Sequence, residues 1–288
     1  MHRTLTRGVA RDILCPAMSK SQQRLHGIRI LHEDPDVIVI EKPAGLLVQA
    51  LRHGREPSVE AILTDYVRKG QWKSRKQAYL VHRLDRETSG VMMVAKTEAV
   101  QEYFRSNWNE LTEKTYLVRV EGTLPADHGV LESYLYEDAD LFVRSTPDKT
   151  KGKFARTEWR VVGTDPTVAV GTDPTTLVEA VLKTGRKNQI RVQFADIGHP
   201  VVGDAKYGHG TRGQTLHGPR GQTPHARGQT LHDMKGQTLH DTRGQTLHGT
   251  RGQPLCLHAW KLKFVHPHTR RPLAFESPPP AHLTKKEA

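Results

Sequence analysis

A short unit, Arg-Gly-Gln-Thr-Leu-His, recurs whole or nearly so from Arg212, Arg220, Arg227, Lys235 and Arg243, with a partial copy at Arg251. It limits what the chain can fold into. Each copy brings about one leucine next to a glycine and no β-branched aliphatic side chain, too little apolar surface to offset the entropy of ordering. Steps of seven or eight residues are also too short for a solenoid unit. Residues 209–254 are therefore expected as an unpacked insertion, and the core must come from 26–208 together with 255–288. The repeat histidines (His209, His217, His225, His232, His240, His248) lack cysteine partners or i, i+4 pairs, a poor ligand pattern, so no metal is assigned. Weak contact with the phosphates of a polyanion and a plain unstructured loop remain the two readings of this segment.

Outside the insertion the pattern is one of short strands and few helices. Ile28–His32 and Val37–Ile40 flank Glu33-Asp34-Pro35-Asp36, whose acids and proline suit a tight turn. Pro57-Ser58 starts a helix running to about Lys69, stopped by Gly70. Thr97 caps a second, which sets Val100, Tyr103, Phe104, Trp108 and Leu111 on one face. Lys114–Gly122 alternates as a strand with Tyr116, Val118 and Val120 on one side, and further strands are expected at 130–135, 141–146, 154–162 and 176–183. A duplicated Val-Gly-Thr-Asp-Pro-Thr at 162–167 and 170–175 reads as a lengthened hairpin connection. Asn188 is expected to cap a third helix bearing Ile190, Phe194 and Ile197, with Arg191 at the edge of the core.

The net charge of +12 points to a polyanionic partner, but its distribution narrows that statement. Residues 1–25, 209–254 and 255–288 each carry a surplus of four positive charges, and 26–208 holds 26 of each sign. One local cluster remains there: Arg68, Lys69, Lys73, Arg75, Lys76 and Arg83, with no acid between the first and the last. Such a run can track a phosphate backbone or be a solvated helix end and loop. No apolar run approaches a membrane span, and the far-apart Cys15 and Cys256 suit a reducing, cytoplasmic setting. Residues 1–25 are expected as a disordered basic arm, a targeting segment or an extension ahead of Met18.

The chemistry concentrates in His82-Arg83-Leu84-Asp85-Arg86-Glu87-Thr88-Ser89-Gly90, followed by the buried-strand pattern Val91–Ala95. A carboxylate between two arginines on an inter-strand loop is held ionised and in place, as a nucleophile or base must be. The charge pattern alone equally fits an ion pair that staples a loop.

The string resembles the HRLD signature of the RluA-type RNA pseudouridine synthases. So do Glu41-Lys42-Pro43-Ala44-Gly45, the Lys-x-Tyr strand at Lys114–Tyr116, Gly185-Arg186 with Gln189-Ile190-Arg191, and Gly203–Gly208 with Leu257–Trp260. The match runs from about residue 28 to 282, the insertion excepted. It implies an α+β pseudouridine synthase fold: a long mixed, mostly antiparallel sheet flanked by helices, with a central active-site cleft. It implies Asp85 as the catalytic aspartate, Arg191 as its cation and Tyr116 as the base platform. Arg83, His82 and Ile190 become RNA- or base-binding residues. No cofactor is implied, because the base is detached and rejoined through C5 without redox change. The expected partner is an rRNA or tRNA stem-loop, engaged by a monomer without a membrane or protein partner. An alternative is a non-catalytic RNA-binding or ribosome-assembly factor on the same scaffold. Asn188 and Gln193 depart from the family's frequent histidines, which puts a peripheral polar contact at Gln193 in question.

Overall fold

Alternating apolar residues broken by turn formers give the chain eleven strands and four helices among its described residues. The computed structural model describes residues 25–50, 56–71, 73–165, 174–208 and 253–284. The basic arm and the repeat insertion, except for residues at their inner ends, lie outside that set. In order come β1 (Arg29–Glu33), β2 (Val37–Lys42), α1 (Val59–Arg68), β3 (Tyr79–Leu80), β4 (Ser89–Ala95), α2 (Glu98–Leu111) and β5 (Thr112–Glu121). There follow β6 (His128–Glu137), β7 (Val143–Thr146), β8 (Lys153–Asp165), β9 (Thr175–Leu182) and α3 (Gln189–Asp196). The last are β10 (Leu257–Val265), β11 (Pro272–Glu276) and α4 (Ala281–Thr284). These elements form two units, one from Met1–Tyr116 with His258–Pro280, the other from Leu117–Leu257 with Ala281–Ala288.

In the first unit the strand order is β1-β2-β4-β10, with β3 on β4 and β11 on β10. Asp34 Oδ1 accepts the backbone N–H of both Asp36 and Val37 at 2.8 Å, which closes the expected β1–β2 turn. β2 and β4 are buried along almost their whole length, so they read as continuous apolar runs. Ser58 caps α1 by accepting from Ala61 N, and Lys69 ends it in the left-handed region before Gly70. Thr97 caps α2, which buries Val100 and Phe104 against Met93, Leu262 and Phe264. Tyr103, Trp108 and Leu111 pack against that cluster as partly buried residues.

β4 and β10 run parallel, with Ser89 opposite His258 and Gly90 opposite Ala259. Gly90 has φ +117°, and a Cβ there would run into the Ala259 backbone. Only glycine fits, which explains the residue that ends the Asp85 loop. Beside it, His258 Nε2 donates to Ser277 O at 3.1 Å and Ser89 Oγ donates to Nδ1 at 2.8 Å. The buried imidazole thus ties the start of β4 to the segment after β11.

In the second unit β9, β8, β6 and β7 are neighbours in that order. β8 and β9 pair antiparallel from Thr157–Leu182 to Asp165–Thr175, so residues 162–165 of the duplicated segment continue β8 where a connection was expected, and the middle of that segment lies outside the described residues. α3 lies on one face, where Val192 joins Leu135, Val143 and Ala155. β5 is buried at Thr115 and Leu117 as well as at Tyr116 and Val118, so both its faces are covered. The expected one-sided alternation fails there. Each unit is thus a mostly antiparallel sheet with few helices, an α+β architecture, and the first also contains the parallel β4–β10 pair.

Candidate active site

Asp85 sits half-buried on the loop between β3 and β4. The loop is pinned from beneath by Lys42, at the end of β2, which is fully buried. Its ammonium donates to Pro43 O at 2.9 Å, Leu46 O at 2.8 Å and Arg86 O at 3.0 Å. Gly45 N donates to Arg86 O at 2.8 Å, and Arg86 Nε returns a bond to Gly45 O at 3.1 Å. Thr88 N closes the turn on Asp85 O at 3.2 Å. The Glu41–Gly45 segment and the Asp85 loop are therefore stitched through the residue next to the carboxylate. Burial pushes Lys42 down to about 8, while the charges of Glu87 and Asp85 act to keep it protonated. Lys42 is the main residue that sequence reasoning left without a role. A lysine two positions past the apolar run Val37–Ile40, directly before Pro43, was the available signal.

Tyr116 is buried on β5 and belongs to the same unit. Burial, and then the negative charge of Asp85, raise its pKa well above that of a free phenol. The hydroxyl thus stays protonated at any working pH, so the ring can pack or donate but cannot serve as a base. The structure brings Asp85 and Tyr116, 31 positions apart in sequence, into one electrostatic neighbourhood.

His82 is placed differently from a base-facing residue. Its Nε2 accepts Met93 N at 3.0 Å, and its ring stacks on Trp108 with centroids 4.6 Å apart. Burial and the neighbouring Lys114 ammonium push it down to about 3, so it is neutral. Lys114, itself pushed down to about 8 by burial, donates to Asn109 Oδ1 at 3.0 Å and lies 5.8 Å from the Trp108 ring centre. His82 is thereby a strut between β4 and α2 rather than a ligand-facing group. Arg83, next to it, is exposed.

In the second unit, Asn188 does not cap α3 as expected. It is left-handed at φ 52°, makes no side-chain cap, and donates Nδ2 to Tyr207 Oη at 3.0 Å. Gln189 serves the turn instead, accepting from Thr184 Oγ1 and Arg186 N and donating to Arg156 O and Thr157 Oγ1. Ile197 is 41% exposed, because the helix ends at Asp196 and the apolar stripe ends with it. Ile190 is 4% exposed and part of the core, not an exposed base contact. Gln193 is no peripheral residue either. It is buried, accepts Thr157 Oγ1 at 2.6 Å, and donates to Leu131 O, Ser133 Oγ and Ala155 O.

Arg191 is buried rather than at the core's edge. Its Nε and Nη2 donate to Asp204 Oδ2 and Oδ1, both at 2.7 Å, and its guanidinium lies 5.3 Å from the Tyr207 ring centre. Asp204 Oδ1 also accepts Lys206 N at 2.8 Å and Tyr207 N at 3.0 Å. A forked pair of this kind fixes both the charge and the plane of the guanidinium.

One further group in the first unit has converging ligand atoms, Asp34, Asp36 and His266. His266 Nδ1 accepts His268 N at 3.3 Å and Thr269 N at 3.1 Å, so the proton of the neutral ring sits on Nε2. That N–H faces Asp34 Oδ2 at 3.1 Å and Asp36 Oδ2 at 3.5 Å. A metal-bound histidine donates its other nitrogen's proton instead. The group is a hydrogen-bonded knot joining two turns.

Comparison with known proteins places this arrangement. The family model described as RNA pseudouridylate synthase matches residues 36–196. The dual-specificity RNA pseudouridine synthase RluA of Yersinia pestis is 34% identical over 62% of this chain and 82% of its own. The ribosomal large subunit pseudouridine synthase D of Nitrosomonas europaea is 30% identical over 88% of this chain and 62% of its own. An uncharacterized RNA pseudouridine synthase of Aquifex aeolicus is 35% identical over 63% of this chain and 56% of its own. The aligned parts thus cover somewhat over half of the last two relatives. Among solved structures, human RNA pseudouridylate synthase domain containing 4 superposes with a TM-score of 0.60 at 25% identity, covering 88% of this chain and 89% of that one. Asp85, Tyr116 and Arg191 all lie within or beside the matched strands and helix, and the chain belongs to the RluA-type family of RNA pseudouridine synthases.

Proposed function

We propose that this chain converts specific uridines in RNA to pseudouridine, with Asp85 as the essential carboxylate. The observation that carries the proposal is the pairing of Asp85 with Tyr116 on a loop immobilised by Lys42. The reaction breaks the C1′–N1 bond of uridine, turns the base and rejoins it through C5. Asp85 engages the sugar, either by attack at C1′ or by assisting loss of the C2′ proton. Tyr116, protonated and buried, holds the detached uracil. Arg191 carries the role that the family motif gives it, keeping the aspartate ionised, and Asp204 keeps its guanidinium rigid. Arg83, exposed and planar, fills the space left when the uridine leaves its stack. No cofactor enters this chemistry.

The substrate in this reading is ribosomal or transfer RNA, taken as a compact stem-loop by a monomer in the cytoplasm, and the name of the Nitrosomonas europaea relative supports its ribosomal part. Tritium release from 5-tritiated uridine RNA tests the reading. Wild type should release label, and Asp85→Asn should lower the rate at least about a thousandfold while the protein melts as wild type does. Full release by the variant would remove Asp85 from the reaction. Mapping pseudouridines in total RNA with and without the gene then names the site.

A further inference from the structure

The sheet face of the second unit that lies opposite α3 carries a group of rings and cations that the proposed reaction does not use. β6 and β8 pair so that Tyr134 faces Phe154, their ring centres 5.6 Å apart and tilted by 56°. Phe154 is 39% exposed, an unusual position for a phenylalanine on an ordered strand. Tyr136 follows two residues along β6 on the same face.

The turn from β7 to β8 then places lysines over these rings. Lys151 Nζ lies 3.9 Å from the centre of Tyr136, and Lys149 Nζ lies 5.9 Å from the centre of Tyr134. The turn is built firmly. Asp148 Oδ1 accepts both the N–H and the hydroxyl of Thr150, Gly152 N donates to Asp148 O, and a Cβ at Gly152 would collide with Tyr134 and Thr146.

Charge on this face is not balanced. Glu132 is paired with Arg156, Glu137 with Lys187, and Asp138 with Arg144 at 2.5 Å. Asp148 binds the turn and keeps its charge, which faces Lys151. Lys149 and Lys151 are exposed and, among the described residues, form no ion pair within salt-bridge distance of a carboxylate. The surplus on an aromatic face is therefore positive.

We infer that Tyr134, Tyr136 and Phe154 with Lys149 and Lys151 form a stacking platform for unpaired nucleotides of the RNA, separate from the residues assigned to the reaction. The inference rests on the reading of RNA as the partner. Ring faces accept any base without reading its identity, and lysines beside them meet the intervening phosphates. Each ammonium already lies by a ring, so a base that takes the ring face hands the lysine on to the neighbouring phosphate. A protein partner would favour paired charges and a dry apolar centre, which this face lacks.

The test uses the full chain and a fluorescein-labelled oligo-adenosine about twelve nucleotides long, which contains no uridine and cannot be a substrate. Fluorescence anisotropy should show salt-dependent binding by wild type. Tyr134→Ala with Phe154→Ala should weaken it about tenfold or more. Lys149→Gln and Lys151→Gln together should lower the slope of log affinity against log salt by about 1. These two exposed turn positions can be changed without disturbing the core, so their result does not depend on how the aromatic variant folds. Single-turnover modification at saturating RNA should keep its wild-type rate constant in the lysine variant. Absence of oligo-adenosine binding, or binding that neither variant alters, overturns the platform. If wild type binds the oligomer as described but modifies no RNA, the proposed activity fails and the platform stands.

Discussion

Lys42 donates its buried ammonium to the carbonyl of Arg86, the residue that follows Asp85, at 3.0 Å. Two further carbonyls, of Pro43 and Leu46, depend on the same group. Lys42→Met should leave the Pro43 and Leu46 carbonyls without their ammonium donor in a closed space, and Arg86 O with Gly45 N alone, at a cost of roughly 2 to 5 kcal/mol. It should also free the Asp85 loop, so that activity falls by more than the loss of folded protein explains. Lys42→Arg is not a conservative repair, because a planar fork cannot reach three carbonyls arranged around a point. Urea titration beside single-turnover rates at low temperature checks both effects. A methionine variant with wild-type stability and rate would leave Lys42 no positioning role.

His82 makes stability fall in acid. Its folded pKa of about 3 lies far below that of a free imidazole, because the buried ring accepts Met93 N and faces Lys114. The unfolded chain binds a proton as pH drops through about 6.5, whereas the folded protein does not until about 3. The neutral ring's contribution is therefore present above pH 6.5 and is lost progressively down to pH 3, on the order of 4 kcal/mol. Thermal melts across that window should show the loss. His82→Gln, which keeps an acceptor but does not titrate there, should flatten the curve at the expense of the Trp108 stack.

What was legible in the sequence follows from which interactions are local. The β1–β2 turn and the Ser58 and Thr97 caps are each set by a few neighbouring residues, and the structure has them where the pattern put them. Asp85, Tyr116 and Arg191 were identified by motif. What the motif could not convey was the support beneath them. Lys42 meets Arg86 44 positions away, and Gln193 meets Leu131 across 62. Asn188 was expected as a cap because asparagine favours that site, but Tyr207 claims its side chain and its backbone turns left-handed. Long-range partners, absent from any local window, overrode local preference in each case.

The Arg191–Asp204 fork predicts unequal outcomes for its two halves. Asp204→Asn takes the charged half of the fork from a buried guanidinium and also weakens the acceptor for Lys206 N and Tyr207 N, at about 3 to 5 kcal/mol. Arg191→Lys keeps the charge but gives up the two-pronged bond, so it should lower activity more than stability. Asp204→Asn with Arg191→Met should recover part of the stability, since it removes a buried charge that has lost its fork, while staying inactive. A double variant no more stable than Asp204→Asn would mean that the carboxylate matters for the turn and not for the cation.

Asp196, the last residue of the helix that carries Arg191, is a built-in cost rather than a support. Although the residue is exposed, the protein packed around its carboxyl raises it to about 6, and the bond to Ser145 only partly opposes this. The carbonyl end of α3 is itself a poor place for a negative charge. Between about pH 3.8 and 6 the folded protein holds a proton that the unfolded chain has released, so stability falls as pH rises through that window. Above pH 6 the penalty is complete. Asp196→Asn, which keeps a partner for Ser145 and cannot ionise, should therefore match wild type near pH 3.5 and exceed it at pH 7.5 by no more than about 1 kcal/mol, because water reaches the exposed side chain and screens the penalty. Paired urea titrations at the two pH values measure the difference. An asparagine variant that is less stable at pH 7.5 would show that the charge at the end of α3 is paired rather than tolerated.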